Sequence, residues 1–498
     1  MRLPLGPWEP DSAGLDMRDP GGGTLMSIAS GVWPAKAGYV PIPALTEFSS
    51  FALPSPCLGA FVAYTSAGGY VLFAGTATKL YKYDTASGWV DYTRAAGGNY
   101  SVAVGDYWQF TQFGSKVIAT QISDFAQGID VDTGATAFTA LGGSPPKSRY
   151  AFVVGDFVVL ACQSGNPRRV TNSAINDSTG WTLGTALCDQ QDFADGEAIT
   201  GCAAGEFGWI AQQHALRRMI FQPGFDQAFR FERVEKEHGC GAPYGLTVVG
   251  STIYYPADDG FYSFSADKGL TPIGHQRVND WFRANSTPTR VSSILAITDP
   301  YAPRVGWAFP SPSSTYLNFV LWYDWALNQW SYMEQTAQFW AKQVTASISL
   351  EGLDSYGSMD TGVPYSLDSR VWAGGVPVTA AITSTGKLAF LNGATPMTAT
   401  LLTAPMQFTP SARSFVRGVF PIGIFNGATL GVRVAKREHS NNPVVYTPSV
   451  APSTKSGIAR VRAGGRLHQI ELMLSQASGV VWDRAEGLDV DSTPDGLQ

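Results

Sequence analysis

Apolar residues in this chain recur at alternate positions in short runs, and glycine-led turns separate the runs. "VVGDFVVL" (153–160) shows the unit: two apolar runs flank Gly155-Asp156, and a two-residue turn with glycine first suits the twist of paired strands. "QFGSKVIA" (112–119), "AAGEFGWI" (203–210) and "VVGSTIYY" (248–255) repeat it, and "TSAGGYVLFA" (65–74) is a looser copy. The turn glycines Gly68, Gly114, Gly155, Gly205 and Gly250 are 46, 41, 50 and 45 residues apart, the blade length of a β-propeller. A second feature keeps step. Asp84, Asp132, Asp177, Asp226 and Asp267 follow the glycines by 16 to 22 residues, where an aspartate opens a turn by accepting a backbone N–H two residues on. Each period therefore reads as two hairpins, four strands and one blade.

The pattern predicts an all-β fold: a propeller of six to seven four-stranded blades over 59–403, an extended arm over 1–58 and a β-sandwich-like domain over 404–498. The sixth blade is placed at 293–335 and a seventh at 370–403, with 336–369 read as a loop or insertion. "RVNDWFRA" (277–284) is read as one short helix. The arm holds nine of the 31 prolines, so it should lie along another surface rather than form its own core. "SFVRGVFPIGIF" (414–425), "ATLGVRVAKR" (428–437), "GIARVRAGG" (457–465) and "HQIELMLS" (468–475) alternate as sandwich strands, and the tail from residue 480 is expected to fray.

Composition narrows the function. Charged residues are 15% of the chain, against about 25% in ordinary domains, and aromatics are 12%. A net charge of −6 argues against a protein that grips nucleic acid by its phosphates. The five cysteines, Cys57, Cys162, Cys188, Cys202 and Cys240, are scattered and unpaired in sequence, so buried free thiols are expected. The N-terminus lacks the apolar run of a signal peptide, no stretch is apolar enough for a membrane span, and folding in a cytoplasm is expected.

Catalytic motifs fail on inspection. "TSTGKLAF" (383–390) has Leu388 where a phosphate-binding loop needs a hydroxyl, and in "GCGAPYG" (239–245) the last glycine falls one residue late for a dinucleotide fingerprint. His238 lies near Cys240, but no further ligands are near in sequence. The carboxylates of "CDQQDFADGE" (188–197) would serve a glycosidase only if two of them faced one pocket, and loop solvation is the commoner reason for such a run. Arg168-Arg169, Arg217-Arg218 and "RVAKREH" (433–439) read mainly as salt-bridged surface. Trp89, Trp181, Trp325 and Trp330 read as blade packing or as anchors of an oligomer interface. No catalytic, cofactor-binding or metal-ligating residue is assigned.

Several stretches resemble a known family. They include "GYVPIPAL" (38–45), "FAGTATKLYKYDTASGWVDYT" (73–93), "LGGSPPKSRYAFVVGDFVVLA" (141–161), "QQHALRRMIFQPG" (212–224), "GCGAPYGLTVVGSTIYYPADDGFYSFS" (239–265) and "DWALNQWSYME" (324–334). With their neighbours they cover about two thirds of the chain and resemble the tail hub, or nozzle, of short-tailed bacteriophages, a virion protein related to the packaged-DNA stabilisation proteins. The resemblance implies a homohexameric ring below the portal and adaptor proteins. Such a ring closes the DNA exit channel, retains the genome, anchors tail fibres or tailspikes, and lets double-stranded DNA pass without specific binding. It implies no enzyme activity and no cofactor, and it places the protein in the virion tail. Six acidic copies would let phosphate backbones slide, and a blade-lined axis is too narrow for duplex, so DNA is expected between subunits. Two other readings remain: a glycan-binding or glycan-cleaving propeller, and a Kelch-like interaction module. "YDWALNQW" (323–330) carries the Tyr-Asp…Trp spacing of the latter without its paired glycines, and "DSTGW" (177–181) misses the Asp-box offsets of the former.

Overall fold

The computed structural model describes residues 1–13, 24–205, 207–225, 227–344, 377–409, 412–439, 441–475 and 481–495. The alternating runs form five separate four-stranded antiparallel sheets, each opened by one of the glycine hairpins. They begin with the strands Gly59–Tyr64, Gln109–Phe113, Ser148–Val154, Ile199–Ala203 and Thr247–Val249, and are blades 1 to 5. Gly114, Gly155 and Gly250 open two-residue turns at φ +60°, +56° and +59°, a conformation that favours glycine. Gly205 sits in a longer loop without a positive φ.

Blade 6 is the meander Leu295–Thr298, Arg304–Phe309, Leu317–Asp324 and the first half of Gln329–Val344. That last strand does not stop at its blade. Beyond Ala337 it pairs instead with Pro377–Thr383, which pairs with Lys387–Pro396, which pairs with Pro43–Ala52 of the N-terminal segment. This is a seventh four-stranded blade. One sixteen-residue strand is thus the outer strand of blade 6 and the inner strand of blade 7, and its second half lies against the first strand of blade 1. The seventh blade differs from the sequence reading in three ways. Residues 336–344 are strand rather than loop, Ala399–Thr403 belongs to the sandwich, and the outer strand comes from the chain's beginning. The rest of the 336–369 reading, from 345 on, and residues 370–376 lie outside the described residues. The short helix is present as Asn279–Asn285.

Aromatic packing joins neighbouring blades. Phe73 and Leu80 of blade 1 pack with Trp108, Val117 and Ile129 of blade 2, and Trp209 and Leu216 of blade 4 with Ile253 and Phe264 of blade 5. The indole N–H of Trp108 donates to Thr76 O at 2.8 Å, that of Trp307 to Gly245 O at 2.8 Å, and that of Trp330 to Ile273 O at 3.0 Å. Each ring buries its apolar body in the core while its one donor is satisfied by a neighbouring segment's carbonyl.

The C-terminal residues form two facing sheets. In one, Ser414–Ile424 pairs along the length of Arg484–Pro494; in the other, Leu467–Ser475 lies between Thr429–Arg437 and Ala399–Thr403. The N-terminal segment completes both. Arg2–Pro4 adds to the first sheet beside Gly487–Asp489, and Thr24–Ser30 adds to the second beside Thr400–Thr403. Two expectations are corrected here. Over its described residues, 481–495, the tail does not fray, because Arg484–Pro494 is paired along Ser414–Ile424 and, at Gly487–Asp489, also with Arg2–Pro4, and buries Ala485, Leu488 and Val490. In 457–465 only Ala463–Gly465 is strand. Apolar residues of the sandwich share one core with Tyr254, Phe261, Trp307 and Trp330 of blades 5 and 6.

Candidate functional site

The first strands of the blades converge on the propeller axis. Phe61, Gln109, Tyr150, Cys202, Leu295 and Phe339, from blades 1, 2, 3, 4, 6 and 7, line one cavity of about 570 Å³ together with Tyr244, just before blade 5. The volume suits a small molecule and falls far short of a duplex. Beside it is a polar cluster that sequence reading missed. Asp106, buried, pairs with Arg149 at 3.1 Å and accepts from the Tyr244 hydroxyl at 3.2 Å, while that hydroxyl accepts the Tyr107 N–H at 3.1 Å. Tyr150 donates toward the carbonyls of Thr200 and Pro243. Burial, above all, pushes the Tyr150 and Tyr244 phenols well above their ordinary range, so both stay protonated as donors. Asp106 and Tyr244 are 138 residues apart, and no local signal announces the pairing.

The acidic run and the two arginine pairs, separate in sequence, meet at the outer strands of blades 3 and 4. Asp192 lies opposite Arg169 and takes a two-pronged contact at 2.6 and 2.7 Å; Glu197 pairs with Arg168 at 3.0 Å. Asp195 is held by Arg217 and Arg233, and Glu232 by Arg218, at 2.6 Å, and Arg230. Arg169's hydrogen bond keeps the Asp192 carboxyl below the ordinary range. Burial raises that of Asp195, but Arg217 and Arg233 more than offset it. Carboxylates lowered in this way stay ionised and accept; a glycosidase acid needs the opposite shift. The basic stretch at 433–439 is paired as well, Arg433 with Glu471 at 2.8 Å and Glu438 with Arg413 at 2.8 Å.

His238 and Cys240 point to different partners. The imidazole stands 3.6 Å from Glu235, 3.5 Å from Asp259 and against the Tyr262 ring, whereas the buried Cys240 thiol donates to Ala242 O at 3.1 Å. Among the described residues, no three His, Cys, Asp or Glu side chains are grouped to hold a metal. Of the singled-out tryptophans, Trp181 and Trp330 are buried, Trp89 is half-buried against Tyr83, and Trp325 is exposed. Asp84 and Asp177 accept backbone N–H groups of their turns as expected, and Asp324 does the same in blade 6. At the turn of blade 5 that holds Asp267, however, the Ser265 hydroxyl accepts the Lys268 N–H, and at the turn of blade 2 Asp130 takes that role. Asp132 there accepts from Ser66 of blade 1 instead, and Asp226 lies outside the described residues.

A third cluster, also unannounced, fastens the N-terminal segment to blade 6. The Arg304 guanidinium lies 4.1 Å from the centre of the Trp33 ring, with Nη1 3.4 Å from Asp299 and Nε 3.6 Å from Asp324.

No family model matches the chain, and no curated protein matches it. Solved structures it is similar to include the computationally designed protein Ika8, at 10% identity and a TM-score of 0.36, covering 78% of this chain and 100% of that one. YCF48 bound to a D1 peptide gives 11% identity and a TM-score of 0.37, covering 70% and 97%. The N-terminal domain of Nup159 gives 10% and 0.38, covering 73% and 98%. Likeness at this level adds nothing to what the strand pairings establish. Among the described residues no helix is long and apolar enough to cross a membrane.

Proposed function

We propose that this protein is a non-catalytic assembly component of a virion, the nozzle or hub ring of a short-tailed phage. The observation that carries the reading is closure by the chain's own beginning. Pro43–Ala52 seals the last blade, while Arg2–Pro4 and Thr24–Ser30 complete the two sandwich sheets, so propeller and sandwich are tied by one segment. A propeller closed on itself leaves only short strand edges and offers broad faces for protein contacts. That suits a body carrying mechanical load, and it agrees with the family resemblance of the sequence. In this reading six copies form the ring beneath portal and adaptor, fibres or tailspikes attach to its flanks, and assembly takes place in the host cytoplasm. DNA passes between subunits rather than along a propeller axis, whose cavity is lined by Phe61, Tyr150 and Phe339.

The test is the particle mass of the purified protein, alone and with a portal–adaptor complex. A six-fold ring that docks on that complex and leaves polysaccharides intact is the expected result. A monomer that ignores the complex, or one that cleaves glycans, would overturn the proposal.

A further inference from the structure

A second cavity, of about 430 Å³, opens away from the axis between blade 5, the short helix and the end of Arg304–Phe309. Its floor is apolar: Phe282, Val291, Ile294 and Phe309, with Phe309 wholly buried. Its polar groups are few. Arg283 and Arg290 supply two guanidinium groups and Asp258 one carboxylate. Both arginines are held in place by the protein. Arg283 bonds Asp280 at 2.9 Å and the Asp259 carbonyl at 2.6 Å, and Arg290 bonds the Ser314 carbonyl. Each guanidinium has five N–H donors, more than these bonds use.

We propose that this cavity binds an amphipathic carboxylate: an apolar body seated on the Phe282–Val291–Ile294–Phe309 floor, its single acid group received by Arg283 and Arg290. The volume falls within the range of small-molecule sites, which combine an apolar lining with a few convergent polar groups. Guanidinium pairs favour planar carboxylates over neutral oxygens. Asp258 opposes the charge and limits affinity.

The probe is 4-phenylbutyrate, titrated calorimetrically into the full-length protein beside its uncharged analogue 4-phenylbutan-1-ol. The acid should bind at least about ten-fold tighter than the alcohol, as expected for a charge-assisted contact. Val291→Trp, which fills the floor, should abolish binding of both; should it fail to fold, Ser286→Trp blocks the same space from the rim. Asp258→Asn, at an exposed position, should tighten the acid a few-fold and leave the alcohol unchanged. A tripeptide ending in free phenylalanine, compared with its amide, separates two sources of the same chemistry. Tighter binding of the free-ended peptide than of phenylbutyrate assigns a chain terminus, and the reverse assigns a free small acid. No binding of any acid, equal binding of acid and alcohol, or unchanged binding in folded Val291→Trp or Ser286→Trp would each overturn the proposal.

Discussion

Replacing Arg304 with methionine removes a charge while keeping much of the side-chain volume. The Arg304 side chain is only 15% exposed, and those of its partners Asp299 and Asp324 are 11% and 4% exposed, so solvent screens the cluster weakly. Taking one partner from a buried ion pair costs about 3–5 kcal/mol, because the remaining charge stays buried. Two details set the value within that range. Asp299 keeps the N–H groups of Tyr301 and Ala302, and Asp324 those of Ala326 and Leu327, which lowers the loss. The contact with the Trp33 face is lost too, about 0.5–2 kcal/mol, which raises it. A net loss of about 3–4 kcal/mol follows. With an unfolding entropy of about 2.1 cal/mol/K per residue, the 498-residue chain melting as one unit would lose only about 3–4 °C. The urea midpoint is therefore the better assay. In an Asp324→Asn background the same substitution should cost at least about 1 kcal/mol less, since one orphaned charge is already gone. A loss under about 0.5 kcal/mol for Arg304→Met alone, or the same loss in both backgrounds, would refute the reasoning.

Three other expectations concern backbone, protons and thiols. Gly155→Ala and Gly38→Ala both place a side chain at positive φ, at a cost of about 1–2 kcal/mol. At Gly155 the added carbon meets open space, but at Gly38 it runs into the Ala485 carbonyl, so Gly38→Ala should lose about 1–3 kcal/mol more by urea titration. Equal losses would deny that the 32–41 hairpin is packed on the C-terminal strand. Burial, first of all, holds the His468 imidazole below its ordinary range, so between that lowered value and about 6.5 the unfolded chain binds the extra proton. Stability is therefore full above about pH 6.5 and declines as pH falls below it; His468→Gln should flatten the slope, and parallel slopes would contradict the assignment. Burial also pushes the Cys57 and Cys240 thiols up to about 12, so at pH 8 both should resist iodoacetamide in native protein and react once it is unfolded. Rapid native labelling at either site would show that it is not enclosed.

What could be read from the chain was whatever local geometry writes into it. Glycine at the first turn position of blades 2, 3 and 5 and aspartate at the turns of blades 1 and 6 are demands made by a few consecutive residues. They gave the repeat and its period. Pairings between distant segments leave no such mark. Pro43–Ala52 is a proline-bounded strand whose partner lies more than 300 residues away, and its sequence alone reads only as extended. Gln329–Val344 serves two blades by changing partner at Ala337, without the turn signal that would divide it. The terminal strand Arg484–Pro494 is rich in acidic and small residues that ordinarily mark loops, and its pairing with Ser414–Ile424 overrides them. The charged surface was legible as paired in general, whereas Arg304 and the Asp106–Arg149–Tyr244 cluster are buried by tertiary packing alone.

Closure of both halves by the N-terminal strands is tested most directly by native-state hydrogen exchange at Leu45–Glu47 and at Leu3. These residues pair with Ala389–Leu391 and Leu488. Their hydrogen-bonded amides should open only with the sheets they complete, matching the protection of the core strands Phe157–Gln163 and Leu467–Ser475. Exchange at unprotected rates, with those core strands still closed, would show a loose arm in place of a structural seam.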